Sequence, residues 1–374
     1  MKTKKQLLHV IGALIAGGAE RFTVDLIVEL KKKNWDVCLF TLSSRTDAGG
    51  GKLARHLRMA NIPVFSGHTP KVNFRSLLTY AAHLRQSRPS IIHLHTPNTQ
   101  LAHLLATTIP LPPYRLFRTL HSLQLPRSGL TAFATRHLKP ELSIACSHEV
   151  FRQNRAKLRG NFITILNGVR FDWPVRTLER SLEEKRKLEL DPKKLHFVCV
   201  GRLEGENCKT SPKAHDVLIR SWKLARVGKR HAQLHILGDG RLRSLLENLA
   251  SDDPSILFHG IQDEISRWLI ACDCFVLPSR SEGLPVAGIE AIGTGLPVIF
   301  SDIPSLRELA SPQAYWVQPN NETDLAHALN KFSKTPIMPS MKIIEEFRCR
   351  FGIARVASEY EHCYFGQSMA GTAL

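Results

Sequence analysis

The chain has 374 residues, of which 43% are hydrophobic and 22% charged, with a formal net charge of +18. That length exceeds one ordinary core, and the composition belongs to a globular protein rather than a disordered one. No apolar run reaches the ~18 residues of a membrane span, and eight cysteines lie scattered without a CxxC or metal-ligand spacing, as expected in a reducing cytoplasm.

Charge divides the chain. Residues 1–170 hold 25 Lys and Arg against 7 Asp and Glu, and residues 171–374 hold 26 of each. The whole excess therefore belongs to the first half, which suggests an anionic partner there.

The chain opens with lysines and an apolar patch, which raises the question of a signal peptide. A first strand at 7–11, followed by Gly17-Gly18-Ala19-Glu20 at the start of an amphipathic helix, favours a folded start instead. In that helix, 19–32, Phe22, Leu26, Ile27 and Leu30 share one face. Further strands are expected at 37–42, 62–65, 91–95, 116–120, 143–146 and 163–166. The charged segment 170–194, with Pro174 and Pro192, reads as a linker. A second strand series follows at 196–200, 233–237, 256–259, 274–277 and 297–300, and 345–364 has helical spacing. Strands alternating with helices predict parallel sheets in an α/β fold. The expected domains are 1–170 and 171–350, with a terminal helix in 351–374.

Several loops carry chemistry. Gly17-Gly18 sits between strand and helix, where glycine permits close approach to a phosphate or sugar. Neither G-x-G-x-x-G nor G-x-x-x-x-G-K-[ST] is present, so dinucleotide and P-loop readings lack their main support. His121 closes a strand at the mouth of an open sheet, where ligands bind; His93, His95 and His103 are rivals among 17 histidines. In the second half, Gly201-Arg202-Leu203 follows a strand, and Lys213 precedes the helical run Asp216-Val217-Leu218-Ile219. An arginine fork and a lysine ammonium on adjacent loops suit two phosphates. Lys209 rivals Lys213. Gly238-Asp239-Gly240 is another strand-to-helix turn, and Gly260-Ile261 ends a strand.

The most specific stretch runs from Ser279 to Gly295, SRSEGLPVAGIEAIGTG, directly after an apolar strand. A helix opening near Leu284-Pro285 presents free N–H groups and partial positive charge, a ready phosphate site. Glu282 lies in the loop and Glu290 about two turns on, the helical part separating them by ~9 Å. That leaves room for one carboxylate at a sugar and the other at a ribose. Two glutamates at this spacing alone are more often a solvated helix face.

The whole string, S-x-x-E-G-L-P-x-x-x-x-E-A, strongly resembles the Glu-x7-Glu signature of family 4 retaining glycosyltransferases, also called group 1 glycosyl transferases. GGAER at Gly17, Asn167-Gly168-Val169, G-R-L at Gly201 and Gly238-Asp239-Gly240 extend the resemblance over nearly the whole chain. Ala214 stands where the family has the glycine of its K-G pair, and the gap 204–212 is longer than the pattern.

The resemblance implies the GT-B fold: two facing Rossmann-like domains with a deep cleft, the acceptor in the first and the nucleotide sugar in the second. It implies that the terminal helix crosses back to the first domain. It further implies retaining transfer of a hexose from a UDP or GDP sugar, without a divalent metal or other cofactor. Arg202, Lys213 and the helix start at Gly283, Leu284 and Pro285 would meet the diphosphate, with Gly17 and Gly18 beside it. Glu282 would meet sugar hydroxyls, Glu290 the ribose and Ile261 the base, and His121 would face the sugar as a catalytic group. Alternatives are a nucleotide-sugar epimerase or phosphorolytic enzyme of the same fold, or a non-enzymatic binder of anionic polymer. Nucleic acid is not expected as a partner, since no recognisable module appears.

The basic half then predicts a lipid-linked or otherwise anionic acceptor in cell-surface polysaccharide or glycolipid synthesis. Attachment would be peripheral, at the cytoplasmic face of a bacterial membrane. Lys2, Lys4, Lys5, Lys31-Lys32-Lys33, Arg75, Arg85 and Arg88 are candidates for the membrane-facing surface.

Overall fold

The computed structural model describes residues 6–228, 231–309 and 314–366, so Lys2, Lys4 and Lys5 lie outside the described residues. Two compact units emerge, one made of residues up to Arg170 together with Phe351 onward, the other Phe171–Arg350.

The first unit alternates β1 (Gln6–Ile11), α1 (Gly18–Lys32), β2 (Asp36–Thr41), α2 (Ala48–Met59), β3 (Val64–Ser66), α3 (Phe74–Ser87), β4 (Ile91–Leu94), α4 (Pro97–Ala106), β5 (Arg115–Leu120), α5 (Gly129–His137), β6 (Leu142–Ala145), α6 (His148–Asn154) and β7 (Asn161–Thr164). The seven strands are parallel, in the order β3-β2-β1-β4-β5-β6-β7. A parallel sheet is covered on both faces, and Leu8, Val10, Phe40, Ile92 and Leu94 are accordingly buried together.

The second unit holds α7 (Leu178–Lys187), β8 (Leu195–Val200), α8 (His215–Ala225), β9 (Ala232–Leu237), α9 (Arg243–Ala250), β10 (Ile256–Gly260), α10 (Ile265–Ala271), β11 (Cys274–Leu277), α11 (Val286–Thr294), β12 (Val298–Ser301), α12 (Pro304–Arg307), β13 (Tyr315–Val317), α13 (Glu322–Lys334) and α14 (Met341–Phe351). Its six parallel strands run β10-β9-β8-β11-β12-β13. The last helix, α15 (Ile353–Phe365), packs on α1 in the first unit. Both sheets reverse winding direction next to their first strand, at β1/β4 and at β8/β11. Ligands of open α/β sheets bind outside the carboxyl ends of the strands at such points.

The α/β class and the two parallel sheets agree with the sequence reading, but some local expectations fail. The segment 170–194 is not a linker. It contains α7, and Arg176 and Lys185 converge on Asp273 at 2.8 and 2.9 Å. Its charges looked solvated because their partner lies about ninety residues away in the chain. β7 starts and ends two residues before the expected strand, and β13 was missed because three residues are too short for a period.

Histidines occupy core positions of the first unit, His9 and His93 on strands, His95 just after β4 and His103 on α4. His9, His93, His95 and His103 are buried. Burial holds His9 at about 3, His103 at about 4 and His121 at about 4, and pushes His93 and His95 well below their ordinary value. All five are neutral in the folded unit at pH 6, whereas the unfolded chain binds protons from about 6.5 downward. A folded-state pKa below the unfolded one confers stability that is present above pH 6.5 and lost as pH falls. Each ring contributes a loss approaching about 1.4 kcal/mol per pH unit. The losses act in the same direction for every buried ring. The first unit is expected to lose stability as pH falls from 7 to 5, read as a lower urea midpoint by circular dichroism. A midpoint unchanged from pH 7 to 5 would contradict this burial.

Candidate functional site

The second unit gathers its charged loops at the β8/β11 switch point. Gly201-Arg202-Leu203 leaves β8, and Ser279 to Pro285 leaves β11. Lys213 reaches from the turn before α8 to Glu282, Nζ to Oε1 2.7 Å. Ser279 Oγ donates to the same oxygen at 2.6 Å. The Lys213 chain lies against Gly201, where an added Cβ would stand 3.2 Å from its Cδ and Cε. Lys209 sits instead on a short 3-10 turn, Cys208–Thr210, with its side chain exposed. Arg202 is exposed, with no ion-pair partner among the described residues.

Two glycine turns buttress the Arg202 loop. Gly238 (φ 135°) and Gly240 (φ 157°) have a backbone that side chains rarely adopt, and a Cβ on either would stand 2.1 and 2.4 Å from the carbonyl oxygens of Gly201 and Leu203. Leu203 N–H donates to Asp239 O at 2.9 Å, and Gly238 N–H donates to Gly260 O at 2.7 Å. Three strand ends are thereby locked into one surface, with Ile261 half-buried beside it.

Helix α11 begins at Val286 with Pro285 as its N-cap, later than expected. Glu282, Gly283 and Leu284 therefore stay in the loop. Glu290 is the fifth helical residue, ~6 Å along the axis from the first, rather than two turns in. It is largely buried at 7% exposure. Proline in an extended conformation cannot serve as the first helical residue, which shifts the start.

Ala214, where the family has glycine, is the N-cap of α8 and left-handed (φ 52°, ψ 39°). The position demands glycine-like backbone, and alanine tolerates it at a cost of about 1 kcal/mol. The next residue, His215, is buried with neither ring nitrogen paired. Burial first, and then the Lys213 charge, push it to about 3.

Sequence reading gave no role to Arg280 or Asp216. Asp216, 1% exposed, accepts both Arg280 Nη1 and Nη2 at 3.0 Å and Arg220 Nη1 at 3.3 Å. Arg280 also donates to Ser211 O at 2.8 Å, and its backbone N–H donates to Pro212 O at 2.7 Å. The loop bearing Glu282 is thus clamped to the loop bearing Lys213. The available signal was an arginine inside the glutamate loop and an aspartate in the first turn of a helix.

In the first unit, Gly17 is the extended N-cap of α1, with the Glu20 carboxylate over its Cα; Gly18 is the first helical residue and exposed. Ala16 N–H donates to both Asp47 oxygens at 2.8 and 2.9 Å, which anchors this loop. Beyond the carboxyl end of β5, His121 Nε2 lies 3.3 Å from His95 Nδ1, and His95 Nε2 lies 2.9 Å from His9 Nδ1. Each neutral ring carries one N–H, so the chain of bonds has only two arrangements. His121 Nδ1 is an acceptor if His9 carries its proton on Nε2, and a donor if it does not. His103 instead bridges the hydroxyls of Tyr80 and Tyr114, a structural role.

His9, His93 and His95 have nitrogens close enough to share a metal ion. Their rings are stacked, however, with interplanar angles of 17° to 24°. Both His93 nitrogens are engaged by Tyr364 and Thr119 at 2.5 and 2.8 Å. Parallel rings cannot aim three in-plane lone pairs at one point, so the arrangement suits hydrogen bonding.

If Arg280 holds the Glu282 loop, Arg280→Ala leaves Asp216 buried with Arg220 alone. The expected loss is about 2–4 kcal/mol in urea unfolding. Arg280→Lys keeps the charge but loses the fork, and is expected to recover only part of it. A loss below about 0.5 kcal/mol for both would show that the clamp does not matter.

Comparison with known proteins gives a concordant picture. A family model described as Glycosyltransferase Family 4 matches residues 16–173, and one described as Glycosyl transferases group 1 matches 194–334. The chain is 30% identical over 140 residues to the O-antigen biosynthesis glycosyltransferase WclY of Escherichia coli, a match spanning 36% of this chain and 40% of that protein. It is 25% identical over 319 residues, 80% of each chain, to the putative glycosyltransferase EpsF of Bacillus subtilis. The structure of Anabaena HepE with UDP and glucose superposes with a TM-score of 0.79 at 16% identity, covering 96% of this chain and 99% of that one, which shows the GT-B fold. With both halves matched, the chain belongs to the family 4, group 1 glycosyltransferases.

Proposed function

We propose that this enzyme is a retaining hexosyltransferase using a nucleotide-diphosphate sugar, with UDP as the favoured nucleotide, and an anionic or lipid-linked acceptor. The observation that carries it is the Lys213–Glu282 pair at the switch point, 2.7 Å apart and clamped by Arg280 and Asp216. A partly buried cation beside a carboxylate, next to a helix start, offers the two things a sugar diphosphate needs: positive potential for phosphate and acceptors for hydroxyls. The UDP held by the Anabaena neighbour supports the choice of base, and the O-antigen role named for the E. coli relative supports a cell-surface glycan as product.

In this reading the diphosphate draws Lys213 away from Glu282, joins Arg202, and faces the N–H groups of Val286 and Ala287. Glu282, released, accepts from sugar hydroxyls. Glu290 accepts from the ribose, and the backbone at Ile261 meets the base. Gly17 and Gly18 approach the phosphates, while His121, neutral because burial lowers its pKa to about 4, orients the sugar. The bond from the anomeric carbon to the phosphate oxygen breaks, and the acceptor oxygen bonds to that carbon on the same face. The acceptor proton passes to the departing phosphate oxygen. Charge builds on the diphosphate as the bond breaks, so fixed cations do the work assigned elsewhere to a divalent metal. The proposed location is the cytoplasmic face of a bacterial membrane; among the described residues no helix is long and apolar enough to cross it.

The test is transfer from a UDP-hexose to a lipid-linked diphosphate acceptor in EDTA, with the anomeric configuration of the product read by NMR. Inversion, or turnover that requires added manganese or magnesium, would overturn the corresponding part. Lys213→Ala and Arg202→Ala are expected to lower kcat by about 100-fold or more, the scale for losing one preorganised donor. Lys209→Ala is expected to stay within about twofold of the parent, since its side chain points to solvent. A critical Lys209 would move the phosphate site to the 3-10 turn.

Glu290→Ala is expected to raise the donor KM with little change in kcat, because ribose contacts are equal in ground and transition states. Unchanged donor kinetics would remove Glu290 from the site.

A further inference from the structure

The basic half is not evenly basic. Between Asp47 and Glu141 the chain carries twelve Lys or Arg and no Asp or Glu. That acid-free stretch contains α3, α4 and α5, which form one helical layer with α4 packed between the other two. At the ends of α3 and α5 nearest the carboxyl edge of the sheet, large apolar side chains face solvent: Phe74 is 73% exposed, Leu78 53%, Leu130 70% and Phe133 52%. Lys71, Arg75 and Arg127 are exposed among them, and none has an ion-pair partner among the described residues.

The lysines expected to form such a surface are placed differently. Lys32 pairs with Glu29 at 2.8 Å and Lys33 with Glu361 at 3.1 Å. Arg85 is spent on the carbonyls of Ala81 and Ala106. Of the cations in that set, Arg75 and Arg88 remain exposed and unpaired among the described residues.

We infer that the rim formed by residues 71–78 and 127–133 is a docking face for an anionic phospholipid bilayer. With helices ~10 Å apart, the two apolar clusters stand roughly 20 Å from each other on either side of α4. That span calls for a broad, flat partner rather than a peptide in a groove. Unpaired cations beside exposed leucine and phenylalanine match a surface that is anionic outside and apolar just beneath. A second copy of this chain would set an acid-free face against itself, at a cost in like-charge repulsion. Nucleic acid would satisfy the cations and leave the leucines wet. The rim also lies at the same end of the sheet as His121, so an acceptor anchored in the bilayer would arrive beside the proposed sugar site. The inference deepens the proposed acceptor reading and rests on it only for why a membrane is approached.

The experiment is co-sedimentation of the full chain with vesicles of phosphatidylglycerol and phosphatidylcholine, or of phosphatidylcholine alone, at low and high salt. The parent is expected to bind the anionic vesicles preferentially and to lose them at high salt. Phe74→Ser with Leu130→Ser, and separately Arg75→Glu with Arg127→Glu, are each expected to lower that binding by about tenfold or more. The thermal midpoint should stay unchanged, because all four residues are exposed. Lys32→Ala, which breaks a surface pair on α1, is expected to bind as the parent does. Equal binding to both vesicle types, no binding, or parent-like binding by both double variants would overturn the docking face. So would a parent dimer that the serine variants convert to monomer. Thermal stabilisation by UDP, measured without vesicles, reads the donor site separately. Its loss with vesicle binding intact would overturn the transferase reading and not the docking face.

Discussion

Asp216 is a carboxylate removed from water at the first turn of α8, and such a charge must be matched where it lies. Two arginines match it, Arg280 from the loop after β11 and Arg220 from the next turn of its own helix. The Arg280 fork has a second consequence, because its backbone is tied to Pro212 just before Lys213. Two loops from opposite sides of the switch point are therefore one object. Without that tie, Lys213 and Glu282 would each lose side-chain and loop freedom in finding the other. The ion pair at the heart of the candidate site is a product of this buried clamp.

The sequence made the alternation of strands and helices legible, because buried parallel strands read as short apolar runs and their covering helices as 3.6-residue stripes. It made the Ser279–Gly295 loop legible too, because strand, polar loop and proline follow one another there. It could not show the pairing of Arg176 and Lys185 with Asp273, which depends on contacts far apart in the chain, so a folded segment looked like a linker. Asp216 and Arg280 were hidden for the same reason: each alone is an ordinary charged residue, and only their meeting has meaning. The start of α11 was misplaced by the rule that proline suits a first turn, when Pro285 is in fact extended. Ala214 was visible as a departure from the family pattern. Only its left-handed backbone shows why glycine is the residue expected there.

The first unit combines a cationic exterior with an interior rich in neutral histidine. These are separate devices. The proposed attraction of the exterior to an anionic surface would respond to salt, which screens exposed charges. The histidines respond to protons through stability, because folding holds them uncharged. A buried ring that stays neutral can still carry direction. His9, His95 and His121 share their protons along one line, and its far end, the buried and unpaired His121 Nδ1, can accept or donate without net charge appearing.

The same economy of charge applies to Lys213 and Glu282. In the unliganded unit each satisfies the other, so neither sits half-buried and unmatched while the donor is absent. A diphosphate offers Lys213 more negative charge than one carboxylate does, and sugar hydroxyls offer Glu282 several donors for the one it gives up. In the proposed exchange little reorganisation would be needed, since the Arg280 clamp holds both loops before the donor arrives. Ser279 already donates to Glu282, so in the proposed exchange the carboxylate would keep one hydrogen bond as Lys213 leaves. In the proposed mechanism a resting ion pair thus becomes two binding contacts, and the cation already points where charge will develop as the glycosidic bond breaks.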